Sequence, residues 1–121
     1  MKLKPVLFIV PFLAAACATR NMPDEFRTDI FYGEALYFQS RCPQYKSVNM
    51  ESAALTYCLI SKTLKINCDA KTLYERFFLE SNKVKNLSTI KYGMMPDHKV
   101  CEIAESKYGK NGTVFKRLLQ P

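Results

Sequence analysis

Residues 49–65 read NMESAALTYCLISKTLK, and their periodicity decides the fold. Asn49 is a good helix N-cap, and Met50, Ala53, Ala54, Tyr57, Cys58, Ser61 and Leu64 recur at the 3.6-residue helical period. Leu55, Leu59 and Ile66 add a second apolar row, so this helix is expected to be the central and most buried element.

The flanking segments follow the same period. Upstream, Phe26, Ile30, Phe31, Ala35, Phe38 and Cys42 form an apolar stripe that predicts a helix over 24–42, with Asp24, Glu25 and Asp29 suited to its first turn. Gly33 weakens that helix by about 1 kcal/mol, and Pro43 lies just beyond its end. Downstream, Asp69 caps a third helix running to about Lys83, with Leu73, Phe77 and Val84 on one face. Adjacent Phe77 and Phe78 cannot both point inward. Residues 86–96 read as a loop punctuated by Tyr92-Gly93 and Pro96.

A fourth helix is expected from Asp97 to Tyr108, ended by Gly109 in a left-handed conformation. Asn111-Gly112 signals a turn, and residues 114–119 form a last short helix or a packed tail. No long period-2 alternation predicts strands. The expected fold is therefore all-α, a small disulfide-stapled bundle of four or five helices over residues 24–121.

The first residues carry a different message. Lys2 and Lys4 precede an apolar run over 6–16 that ends in small residues, the layout of a secretory signal peptide. The run is shorter than the about 20 residues a membrane-spanning helix needs, and Pro11 interrupts it. Leu13-Ala14-Ala15-Ala16-Cys17 resembles the lipobox of bacterial lipoproteins, with Ala14 where that pattern prefers a larger aliphatic residue. The resemblance implies cleavage before Cys17, lipidation of its thiol, and a short tether over 17–23. Small residues at Ala14, Ala16 and Ala18 also fit ordinary signal cleavage, the alternative that would release a soluble periplasmic or secreted protein. The leader, lipid and compact helical domain are similar in outline to small secretion-system pilot proteins.

Cysteine parity bears on the same question. The chain has five cysteines, at 17, 42, 58, 68 and 101. Taking Cys17 out of the thiol pool leaves Cys42, Cys58, Cys68 and Cys101 for two disulfides, which persist in exported proteins. Pairing 58–68 demands a sharp reversal after the second helix; the 42–58 with 68–101 and 42–68 with 58–101 schemes both remain open. No C-x-x-C motif points to redox or zinc chemistry, and His98-x-x-Cys101 is a lone turn-spaced pair.

Charge is unevenly distributed. Residues 17–81 balance, whereas residues 82–121 hold eight Lys or Arg against Asp97, Glu102 and Glu105, a net +5. Such a segment suits an acidic partner or an anionic membrane surface. Lys91, Tyr92, Met94 and Met95 make the candidate exposed contact patch. The export signal and the sparse arginines argue against nucleic acid.

No catalytic motif is present. His98 is the only histidine, no nucleophile elbow or phosphate loop occurs, and Glu34 is a conceivable glycosidase acid but reads as a solvent-facing helix residue. No cofactor or metal is expected. The sequence thus predicts a non-enzymatic, membrane-tethered binding or assembly factor of the bacterial envelope, with an envelope protein as partner. An inhibitor or immunity protein against an exported toxin or enzyme is the first alternative, and a small secreted hydrolase the second.

Overall fold

A computed structural model describes residues 22–64 and 69–121. The predicted leader, Cys17, most of the tether and Cys68 lie outside the described residues. A single 3-10 turn at Asp24–Phe26 precedes four helices: α1 (Thr28–Arg41), α2 (Met50–Thr63), α3 (Ala70–Tyr92) and α4 (Asp97–Tyr108). Two short strands, β1 (Ser47–Val48) and β2 (Leu119–Gln120), pair antiparallel and fasten the tail to the α1–α2 connection. The all-α bundle is as expected. Among the described residues no helix is long and apolar enough to cross a membrane.

The caps expected from the sequence form. Asn49 Oδ1 accepts from the Ser52 amide at 3.0 Å, and Asp69 Oδ1 from the Thr72 amide at 2.7 Å. Each satisfies a donor that the first helical turn leaves without an intrahelical partner.

Three expectations need correction. The central helix is α1, which packs against α2, α3 and α4 alike. Helix α2 buries Ala53, Ala54, Tyr57 and Ser61 but leaves Leu55 and Leu59 49% and 63% exposed, so its second apolar row faces outward. Helix α3 runs on through the expected loop to Tyr92, because Val84, Ser88 and Tyr92 continue the inward register of Phe77 and Ser81. Last, Gly109 is extended (φ −77°, ψ −164°), and its amide donates to the Glu105 carbonyl at 3.0 Å.

Helices α1 and α3 run parallel. The Ser81 hydroxyl donates to the Asp29 carbonyl at the start of α1, and Arg41 at its end reaches the carbonyls of Tyr92 and Met95. Between these points sits a chain of aromatic rings. Phe38 lies 5.1 Å from Tyr92 and 6.0 Å from Tyr108, while Phe77 stacks on Tyr32 at 5.4 Å and meets Tyr57 edge-on at 5.3 Å. Phe77 is fully buried and Phe78 43% exposed, as their adjacency requires.

Candidate functional site

Glu34 lies on the core-facing side of α1, not toward solvent as its helix position suggested. Its carboxylate accepts the Tyr92 hydroxyl at 2.9 Å, the Tyr108 hydroxyl at 2.7 Å and the Lys107 ammonium at 2.6 Å. Burial alone would raise its pKa. The Lys107 and tyrosine hydrogen bonds outweigh burial and hold it below the ordinary carboxylate value. In return, burial and the Glu34 charge push both tyrosine hydroxyls well above their usual range. A general acid must keep its proton near neutral pH. Glu34 is shifted the other way, with both oxygens engaged. Its arrangement binds α1, α3 and α4 together and has no proton to give.

The sequence-derived contact patch is brought together only in part. Tyr92 is turned inward, 5% exposed, toward Glu34 and Phe38. Met94 is fully exposed, Met95 is half-buried, and the Lys91 ammonium sits 5.1 Å over the Tyr92 ring. The structure adds Leu87 and Ile90, 62% and 79% exposed, which the loop reading of 86–96 had hidden. Their signal was there to be found: positions 79, 87, 90 and 94 follow the helical period on the side opposite Phe77, Ser81 and Ser88.

Arg41 fixes the end of α3 that carries this patch. Its guanidinium donates to the carbonyls of Met95 (2.6 Å) and Tyr92 (3.2 Å), to the Tyr37 hydroxyl (2.5 Å) and to Asp97 Oδ1 (2.6 Å). A cation is well placed there, where the last carbonyls of a helix lack the amide four residues on and the helix dipole is negative. The next residue, Cys42, forms a disulfide with Cys101 on α4, with Cα atoms 5.7 Å apart.

That bond departs from both schemes favoured by the sequence. A Cys42–Cys101 bond leaves Cys58 and Cys68 as the remaining pair. Cys58 is half-buried on α2 with no disulfide partner among the described residues, and Cys68 lies outside them. The disulfide also takes the Cys101 sulfur out of the His98–Cys101 pair. No cluster of three metal-ligating side chains occurs among the described residues.

Two hollows were invisible in the sequence. A groove of 250 Å³ between α2 and α3 is lined by Leu55, Cys58, Leu59, Lys62, Leu73 and Tyr74. A cavity of 380 Å³ at the far end of the molecule is walled by Tyr45, Glu105, Lys110, Arg117, Leu119 and Pro121. There the Tyr45 hydroxyl donates to Glu105, and burial together with that carboxylate pushes the Tyr45 pKa up. Arg117 reaches this wall from a left-handed backbone (φ 65°), tied down by its amide donating to the Gly109 carbonyl at 2.8 Å.

Comparison with known proteins returned nothing: no protein family, no curated protein and no solved structure matches this chain. Fold and surface together describe a small disulfide-bonded helical domain. Among the described residues Thr28, Glu34, Ser61, Ser81 and Ser88 are buried and hydrogen-bonded internally, and apolar residues on α2 and α3 are exposed.

Proposed function

We propose that this protein is an exported, lipid-anchored and non-catalytic binding or assembly factor of the bacterial cell envelope. The observation that carries the reading is the pair of exposed apolar surfaces on an otherwise closed core. One is the α2–α3 groove of Leu55, Leu59 and Tyr74; the other is the outer face of α3 from Leu79 to Met94. Large apolar groups clustered at a surface mark interaction sites more often than isolated ones do. The Cys42–Cys101 bond is compatible with export. In this mechanism the lipid on Cys17 holds the domain at the bilayer, the disulfide fixes its helices, and the apolar groove takes an envelope protein.

The test is cross-linked affinity capture from envelope membranes with wild type and Leu59→Glu. A defined envelope protein retained by wild type and lost with Leu59→Glu supports the reading. Capture of one hydrolytic enzyme whose activity falls on binding would favour the inhibitor or immunity alternative. Equal capture by both forms would overturn the groove as the contact surface.

A further inference from the structure

The outer face of α3 is unusual in both its apolar and its charged residues. Leu79, Leu87 and Ile90 are 48%, 62% and 79% exposed, and Met94 just beyond the helix is fully exposed. At 100° per residue these four fall within an arc of about 80°, on the side away from the buried face of Phe77, Ser81 and Ser88. Lys83 lies within the same arc and Lys91 about 40° beyond its edge, whereas Lys85 is on the other side of the helix. Residues 82–96 hold Lys83, Lys85 and Lys91 and no carboxylate at all. The nearest acid, Glu80, pairs with Lys83 at 3.4 Å and leaves Lys85 and Lys91 without ion pairs among the described residues.

We propose that this face docks on an anionic lipid surface, with Leu87, Ile90 and Met94 entering the interface and the lysines meeting lipid phosphates. Charge complementarity favours a lipid surface over an apolar protein groove, since residues 82–96 carry three lysines and no carboxylate, and the one acid beside the strip, Glu80, is paired with Lys83. Lysine stems can lie along apolar groups while their ammonium groups reach headgroups. The strip is also stiff: Arg41 holds its far end and Ser81 ties its near end to Asp29.

The inference rests on the anchored reading in one respect, which is reach. The start of α1 sits beside Ser81, and Ser81 to Met94 spans about 20 Å of helix. Met22 is already buried in the core, so only residues 18–21 separate Cys17 from the domain, a span of at most about 14 Å. An anchor that short keeps the domain against the bilayer, where the α3 strip can meet the same surface, and the α2–α3 groove, toward the other end of α3, stays free for a protein.

The chain contains no tryptophan, so a single introduced one reports its own position. Full-length protein carrying Ile90→Trp, Leu87→Trp or, as control, Leu59→Trp is mixed with bromolipid vesicles. These are either phosphatidylcholine alone or phosphatidylcholine with phosphatidylglycerol. The expected result is quenching and a blue shift for the two α3 reporters on anionic vesicles, little on neutral ones, and none for Leu59→Trp. Adding Lys83→Glu with Lys91→Glu should weaken binding of the face by more than about tenfold. No quenching at either α3 reporter, or equal quenching at all three, would overturn the proposal. So would a blue shift produced by envelope protein but not by vesicles. Intact mass reads the anchor separately, so an unlipidated chain that still shows α3 quenching refutes the anchor and keeps the docking face.

Discussion

Gly33 on α1 lies directly against the carbonyl oxygen of Ser81 on α3, so close that a Cβ at position 33 would collide with it and would stand 2.9 Å from Val84 Cβ. The two parallel helices meet at this point because nothing larger than hydrogen separates them. Helix propensity alone says that Gly33→Ala should stabilise α1 by about 1 kcal/mol. The packing says the opposite, because the obstacle is backbone and cannot rotate away. Gly33→Ala is expected to destabilise the fold by about 1–3 kcal/mol, read from the midpoint of denaturant unfolding. A variant as stable as wild type, or more so, would show that α1 and α3 do not approach as described.

This contact also shows where sequence reading stops. The helices, their N-caps at Asn49 and Asp69 and the turn at Asn111-Gly112 are local, and periodicity and side-chain chemistry reveal them. Gly33 read as a weakness because its value lies in a neighbour 48 positions away. Glu34 read as solvent-facing because its three partners, Tyr92, Lys107 and Tyr108, come from two other helices. Leu87 and Ile90 were lost to an expected loop, since Asn86, Ser88 and Gly93 look like punctuation unless Ser88 is seen bonding back to the Val84 carbonyl within the helix. Leu55 and Leu59 show the converse: an apolar row at helical spacing does not ensure burial, and the structure leaves it in the open.

The Glu34 cluster makes stability depend on acid. Its carboxyl is held below its ordinary value in the fold, so its contribution is fully present above the unfolded pKa of about 4.3 and disappears as pH falls through the lower folded value. Wild type should therefore lose stability steadily below about pH 4.5. Glu34→Gln keeps the shape but loses charge-assisted bonds to Lys107 and the tyrosines. It is expected to cost about 1–3 kcal/mol at pH 7 and to flatten the acid dependence. Parallel pH profiles for the two proteins would refute the linkage.

Arg41 should matter more for local order than for global folding. Its forked donors engage two carbonyls, a tyrosine hydroxyl and Asp97 together, and a lysine ammonium cannot span that set. Arg41→Lys is expected to speed amide hydrogen exchange in the last turn of α3 and the following turn, roughly tenfold, with the α1–α3 centre unaffected. If the proposed lipid-facing strip needs a fixed end, the same variant should also reduce quenching of Ile90→Trp on anionic vesicles. Unchanged exchange at Lys91 and Met95 would show that Arg41 does not hold this end.

The cysteines offer the sharpest reading of compartment and fold together. The Cys42–Cys101 bond closes a loop across 59 positions of sequence, worth about 4 kcal/mol on the chain-entropy estimate. Joint replacement of Cys42 and Cys101 by serine should cost stability of that order and bring α4 loose from the end of α1, where Arg41 and Asp97 would be left as the main remaining tie. Non-reducing digestion should recover the Cys42 and Cys101 peptides as one species. With those two joined and Cys17 carrying lipid, export predicts that Cys58 and Cys68 join each other, so denatured, unreduced protein should show no reactive thiol. One reactive thiol would place Cys17 among the free thiols and remove the lipid. Two would leave Cys58 and Cys68 reduced and limit the staple to a single bond. Four, with an intact diacyl mass on Cys17, would refute the oxidised fold itself.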